Sequence, residues 1–297
     1  MDIQLRQYRH PDDYDAVGEL LVRTYRAPGP HRNWVQPRWE YMHAHPLCDE
    51  ALLGGFGVWE SGGRIVGIVH HEHRAGVNYL EVDPACAVLK ADMLAYAAEN
   101  LAAAAGDARN VEIFINDADE AFQRIATEAG FERNADRGED MSHLPIPDPF
   151  PPIRLPEGFR LKSLADDNDL EKVHRVLHRG FNHPGEPPAD GLAGRRKMQS
   201  APNFRPELTM VVEAPNGDFV SYCGMWYEPA NRLAYVEPVC TDPDHRRRGL
   251  GTAAVLEAIR RCGALGATVA LVGATRPFYL SMGFRQVYAT HAWRHEL

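Results

Sequence analysis

The chain has 297 residues, 44% hydrophobic and 25% charged, with five scattered cysteines, no CxxC and no apolar run near the ~20 residues of a membrane span. This is a globular composition, ample for two cores; it argues against a disulfide framework, a cysteine zinc site and a membrane partner, and with the polar, acidic start it leads to the expectation of a cytoplasmic protein. The formal charge of −9 is uneven: residues 1–150 carry 13 basic and 25 acidic side chains and residues 151–297 carry 19 and 16, which points to an anionic ligand in the second half and away from nucleic acid.

In chain order, "DDYDAVGELLVRTYRAPG" (12–29) reads as a helix with an acidic start and apolar residues at helical spacing. "NWVQPRWEYM" (33–42) has aromatics at near-helical spacing and is read as packing for the first core. "FGVWESGGRIVGIVHHEH" (56–73) is strand, glycine turn, strand. The histidines of "HAH" (43–45) and "HHEH" (70–73) suggest metal ligands at first sight, but no third ligand stands at a fixed spacing, so a half-exposed strand and no metal are expected. "YLEVDP" leads into an alanine-rich helix, then come the strand "VEIFIN" (111–116) and a short helix ending in "EAGFE". The proline-rich "LPIPDPFPPIRLPEG" (144–158) is expected to be neither helix nor inner strand and reads as a stiff linker.

Beyond the linker the same order returns. "NDLEKVHRVLHRGFNHPG" (168–185) repeats the first helix at an offset of 156, down to an aromatic followed three residues later by Pro-Gly. "LTMVVEAPNGDFVSYCGMWYE" (208–228) is a hairpin turning at Asn216-Gly217, "VCTDP" matches "YLEVDP" at an offset of 159, and "SMGFR" (281–285) matches "EAGFE" at 153. Each half reads β-α-α-β-β-β-α-β-α-β, a duplicated α+β domain. The expected boundaries are a first domain over 1–145, a linker over 146–157 and a second domain over 158–297.

The second half carries the most unusual stretch, "TDPDHRRRGLG" (241–251), between the strand-like "LAYVEPV" and the helix-like "TAAVLEAIRRC". A strand, a glycine turn and a helix start make an anion site, because the first helical N–H groups lack internal partners and the dipole is positive there. Gly249 and Gly251 allow close approach, yet no Gly-Lys-Ser/Thr follows and the GxGxxG spacing fails at Ala254, so neither a Walker loop nor a dinucleotide fingerprint is present. An extended diphosphate lying along the turn fits it.

Arg246-Arg247-Arg248-Gly249-Leu250-Gly251, with "EPVCTDPDH" before it and "FYLSMGF" (278–284) after it, resembles the Arg/Gln-x-x-Gly-x-Gly/Ala signature of the GCN5-related N-acetyltransferases (GNAT). The resemblance covers the second half in element order and the first half in fold only; the tandem layout is similar to that of mycothiol synthase and related two-domain acetyltransferases. It implies two tandem GNAT-like α+β domains, each a mixed, largely antiparallel sheet flanked by helices with a splayed strand pair. It implies acetyl-CoA as co-substrate, its diphosphate on the amides of Arg246 to Gly251 with Thr252 adding a hydroxyl, and its pantetheine arm along Val239, Cys240 and Thr241, with the Val239 N–H as oxyanion donor. Pro238, inside the strand, independently suits a bulged or diverging strand.

Acetyl transfer to an amine needs a proton removed and a thiolate protonated. The resemblance makes Tyr279, three residues before Gly283-Phe284, the candidate acid, against the bland alternative of a packing tyrosine. Glu237 is the candidate base; two residues before Val239, it is expected on the same strand face, as is Tyr235. The activity expected is N-acetylation of a small-molecule primary amine; the alternatives are a protein or peptide N-acetyltransferase and a non-catalytic acyl-CoA sensor. Oligomeric state stays open. At the first junction, "DPACAVLKAD" (83–92), Ala87, Lys90 and Asp92 stand opposite Arg246, Gly249 and Gly251, and Ala126 opposite Tyr279, so the first half is expected to bind no acetyl-CoA.

Overall fold

The structure is a computed structural model that describes residues 2–26, 29, 32–106 and 108–297, so Pro28 of the first Pro-Gly pair lies outside the described residues. The first half runs β1 (Ile3–Gln7), α1 (Tyr14–Thr24), α2 (Gln36–Ala44), α3 (Glu50–Leu53), β2 (Gly57–Ser61), β3 (Arg64–His71), β4 (Val77–Val82), α4 (Lys90–Asn100), β5 (Ala103–Ala105), β6 (Ala108–Asn116), α5 (Glu120–Glu128) and β7 (Glu132–Pro145). The second runs β8 (Arg160–Ser163), α6 (Leu170–Gly180), α7 (Gly191–Gln199), β9 (Met210–Glu213), β10 (Phe219–Glu228), β11 (Leu233–Thr241), α8 (Leu250–Ala264), β12 (Val269–Val272), α9 (Pro277–Leu280) and β13 (Arg285–Glu296). The order read from the sequence is thus present in both halves, with the short α3 and β5 added to the first. No helix among the described residues is long and apolar enough to cross a membrane.

The chain forms two compact units, one of residues 1–42, 47–140 and 288–297, the other of 43–46 and 141–287. They differ from the boundaries drawn on the sequence at the last strand of each half. β7 and β13 are 14 and 12 residues long, far above the ~5–6 of an ordinary strand. The end of β7 pairs antiparallel with β12 (Ser142 opposite Val272, Pro145 opposite Val269) and belongs to the second unit. The end of β13 pairs antiparallel with β6 (Thr290 opposite Asn116, Glu296 opposite Asn110) and places Trp293 in the first unit's core. Leu144 and Pro145, expected to open the linker, are therefore strand. Ile146, Phe150 and Leu155 of the proline-rich stretch pack against the second unit's core, and the Ile146 N–H donates to Thr268 O (3.0 Å). Proline excludes a helix there, but its apolar neighbours still have a surface to cover.

In the first unit the sheet order is β1-β2-β3-β4-β6-β13, antiparallel except for a short parallel contact of β4 with β6. Trp34, Trp39 and Met42 are buried in its core, as their spacing predicts. β3 corrects the sequence reading: His70 is 0% and His71 6% exposed, not half-exposed. The imidazole of His70 sits among Trp34, Trp39 and Tyr79, with Glu81 Oε1 at 3.3 Å from its Nε2. Polarity alone suggests an exposed strand, but helices cover this sheet face and an aromatic cage accepts the ring. Among the described residues no group of three or more His, Cys, Asp or Glu is placed to hold a metal ion.

The second unit's sheet runs β7 (its end)-β12-β11-β10-β9-β8; β11 and β12 are parallel and the rest antiparallel. One face buries Met210, Val212, Met225, Ala234 and Val236 against Leu250, Ala254, Ala258 and Ile259 of α8. The other buries Val211, Phe219, Tyr222 and Cys240 against Val173, Val176 and Leu177 of α6. The start of α6 is fixed by Asp169, whose carboxylate accepts from the Glu171 and Lys172 N–H groups. Its end closes on β11 at Gly180, where a Cβ would lie 2.5 Å from Cys240 Sγ.

Candidate active site

β11 is in register with β12 only at Leu233 to Tyr235, opposite Val269 to Leu271, and continues to Thr241 paired with β10 alone. The strands therefore part after Tyr235, the splay the sequence reading anticipates. On its other edge β11 carries a bulge: Met225 faces Val236 and Cys223 faces Val239, so Gly224 stands opposite both Glu237 and Pro238. Only glycine fits, because a Cβ at 224 would lie 2.3 Å from Glu237 O. The Trp226 indole N–H donates to that same carbonyl at 2.9 Å.

The bulge changes which residues share a face. Val236 and Val239 both turn toward the α8-side core, so the two-residue alternation that aligned Glu237 with Val239 is interrupted between them. Tyr235 and Glu237 precede the interruption.

Beyond Thr241 the turn is built by local rules. Asp242 caps a short 3₁₀ turn over Pro243–His245 and accepts from the Asp244 N–H at 3.0 Å. Burial pushes the Asp242 carboxyl up, but Arg179 of α6 outweighs it and, with the Asp244 amide, holds it below the usual carboxylate range. Arg179 also bonds Asp244 at 2.7 Å, so the turn is clamped to the end of α6. Arg246 is part of the same clamp: its Nε donates to Thr241 O (3.1 Å) and its Nη2 to Gly180 O (2.9 Å) and Asn182 Oδ1 (2.8 Å). Its amide has an acceptor in Pro243 O at 3.4 Å, which leaves Arg246 bracing the turn while Arg247 and Arg248 are exposed.

Arg247 (φ 64°) and Gly249 (φ 79°) are both left-handed. Left-handed Gly249 followed by helical Leu250 turns successive N–H groups to one side, a nest for an anion. Among the described residues no acceptor is found for the backbone N–H groups of Arg247, Arg248, Gly249, Leu250, Gly251 or Thr252; the first amide of α8 with an internal partner is that of Ala253, to Gly249 O at 3.0 Å. The two glycines serve different ends. Gly249 supplies the positive φ, with open space where a Cβ would be. At Gly251 a Cβ would lie 3.0 Å from Thr241 Oγ1 and 3.3 Å from Phe278, so its absence lets α8 start close to β11 and α9.

"FYLSMGF" folds as one turn of helix, α9, closed by left-handed Gly283 (φ 99°) and by the Phe284 N–H returning to Tyr279 O at 3.3 Å. The Tyr279 ring, 9% exposed, packs edge-on against Phe278 and Phe284. Burial, reinforced by neighbouring Cys223 and Glu237, pushes its phenol above the ordinary range and keeps it protonated. Tyr279 and Glu237, 42 residues apart in the chain, are thus in one electrostatic neighbourhood. Burial also raises Cys240 to about 12, an inert thiol on the α6 side of β11.

The first unit's junction is built differently. Residues Pro84–Leu89 wind as two short 3₁₀ turns kinked at Cys86, and Leu89 continues into α4 with right-handed geometry, so no left-handed residue opens the helix as Gly249 does. Lys90, opposite Gly249 in the repeat, is buried and ion-paired with Asp119. β4 leaves β6 after Asn78, and the rings of Tyr79 and Phe114 stack across the parting strands (5.2 Å, 6°). Asn182, Arg179, Gly224 and Trp226 are site-building residues that sequence reasoning missed; a glycine inside a strand pattern, at 224, was the one available signal.

The described architecture is two copies of one α+β fold, each with a parted strand pair. Residues 170–284 match the model of the Acetyltransferase (GNAT) family. A search of curated protein sequences gives no match. Among solved structures, the chain is similar to a GCN5-related N-acetyltransferase from Sphaerobacter thermophilus (TM-score 0.68, 15% identity, 99% of this chain and 95% of that one). It is also similar to a tandem GNAT protein from the clavulanic acid biosynthesis pathway (0.64, 14%, 99% and 98%). A third likeness is to the N-myristoyltransferase of Saccharomyces cerevisiae solved with myristoyl-CoA (0.55, 10%, 98% and 78%). At these identities the likenesses establish fold.

Proposed function

We propose that the second unit is an acetyl-CoA-dependent N-acetyltransferase acting on a primary amine of a small molecule. The observation that carries this reading is the run of six amide N–H groups, 247 to 252, without acceptors among the described residues, at the start of α8 and flanked by exposed Arg247 and Arg248. Such a cradle suits a diphosphate, and it lies where β11 leaves its neighbour, so an extended arm has strand edge to follow along Val239, Cys240 and Thr241.

Bound acetyl-CoA would supply a thioester carbonyl open to direct attack by an amine. The chain's own groups then have distinct parts. The nest and Thr252 hold the diphosphate. The Val239 N–H, just past the bulge, donates to the oxygen that gains charge, a contribution of roughly 3 kcal/mol per donor in acyl-transfer sites. Glu237 takes the amine proton, directly or through water, and protonated Tyr279 gives a proton to the departing sulfur. Burial keeps the proton on Tyr279 until the sulfur departs, and at the same time makes the phenol a weaker acid than a free tyrosine, so its role rests on its place in the site and not on its acidity.

The test is thiol release from acetyl-CoA against aminoglycosides, polyamines, amino acids and amino sugars, with a melting curve in acetyl-CoA alone. Amine-dependent thiol release and a clear rise in Tm are expected; a ligand at a hundred times its Kd adds about 2.7 kcal/mol. No shift in Tm at millimolar acetyl-CoA removes the donor assignment.

A further inference from the structure

The bulge in β11 depends on two residues of β10 that take no part in the proposed chemistry. Gly224 leaves room for the Glu237 carbonyl to turn over β10. Trp226 then captures that carbonyl, its Nε1–H donating at 2.9 Å. In a regular ladder a strand carbonyl accepts from the neighbouring backbone, whereas the extra residue of a bulge drops out of the ladder. Here a side chain supplies a donor. The indole is 3% exposed, faces Tyr235 across the strand pair and meets the Phe204 ring edge-on (6.3 Å, 70°).

The Glu237 oxygen lies in the peptide plane joining Glu237 to Pro238, and holding it fixes that plane. The plane in turn sets the direction of the Glu237 side chain on one side and of the Pro238–Val239 segment on the other. We propose that Trp226 is a positioning residue: through the Glu237 carbonyl it aims the Glu237 carboxylate and the Val239 amide at the point served by Tyr279. This rests on the acetyl-transfer reading for its consequence, though the contact itself does not.

Trp226→Phe keeps an aromatic ring and removes the donor, since the indole N–H has no counterpart in phenylalanine. The amide spectrum of the free protein should move at Glu237 and Val239 and stay in place over α8 and β8. In turnover with acetyl-CoA and the best amine of the panel, kcat should fall ~10-fold or more with KM for acetyl-CoA within about twofold, because small misplacements of reacting groups carry penalties of this size. Unchanged kcat, or unmoved Glu237 and Val239 amides, overturns the proposal. A loss of Tm with a matching rise in KM marks a role in folding only and overturns it too. In wild-type protein the Trp226 indole proton should exchange slowly, a check that needs no variant; free exchange again overturns it. If the wild type releases no thiol with any amine, the acetyl-transfer reading fails, and the spectrum and exchange still decide whether Trp226 holds the bulge.

Discussion

Replacing Gly249 separates the two demands made on the turn. Its φ is 79° and a Cβ would meet nothing within 4 Å, so Gly249→Ala carries only the left-handed backbone penalty, about 1–2 kcal/mol. Gly249→Asp carries a similar or smaller penalty, since aspartate tolerates this region better, and adds a carboxylate beside the six open amides. A unit charge about 5 Å from one phosphate charge, at an effective dielectric of about 20, is repelled by roughly 3 kcal/mol. That alone weakens binding more than 100-fold. Calorimetry with acetyl-CoA, beside melting curves without ligand, should show both variants folded, Gly249→Ala binding within about tenfold of wild type and Gly249→Asp with no measurable binding. Wild-type affinity in Gly249→Asp would refute the assignment of the diphosphate to this turn.

Tyr279→Phe should lower kcat tenfold or more, within the ~10²–10⁴ range of general acids, and leave acetyl-CoA affinity nearly unchanged; wild-type turnover would return Tyr279 to a packing role. Glu237→Gln should flatten the acid limb of the pH–rate profile, and an unchanged profile would remove it as the base. Calorimetry should count one acetyl-CoA per chain, because buried Lys90, paired with Asp119, and the right-handed entry of Leu89 into α4 close the first unit's junction; two equivalent sites would refute this. Burial, with His70 beside it, pushes the His71 imidazole from 6.5 down to about 4. The unfolded chain then takes the proton first, so this contribution is present in full above the unfolded value near 6.5 and is lost as pH falls toward 4. It amounts to up to about 1.4 kcal/mol per pH unit. Denaturant melts of His71→Phe should show a shallower loss of stability over that window.

The parts of the site legible in the sequence are those set within a few residues. The turn from Asp242 to Gly251 is a cap, a proline, a left-handed glycine and a helix start, each dictated by its neighbours. The same holds for the closure of "FYLSMGF" at Gly283, and the duplicated order of elements follows from hydrophobic period and punctuation. Even there Arg247 hides a left-handed residue that only the backbone reveals. What the tertiary structure decided is non-local. Alternation marks β7 and β13 as strands but cannot name their partners, so the pairing of their ends with β12 and β6 was invisible. The burial of His70 depends on Trp34 from the segment before α2, Trp39 from α2 and Tyr79 from β4. The bulge shifts the period of β11 by one at Pro238, and so moves Val239 to the face of Val236; a two-residue rule has no means to register the extra residue. Arg246, the first basic residue of the signature, turned out to bind Gly180 and Asn182, because side-chain partners are chosen by proximity in the fold and not by adjacency in the chain.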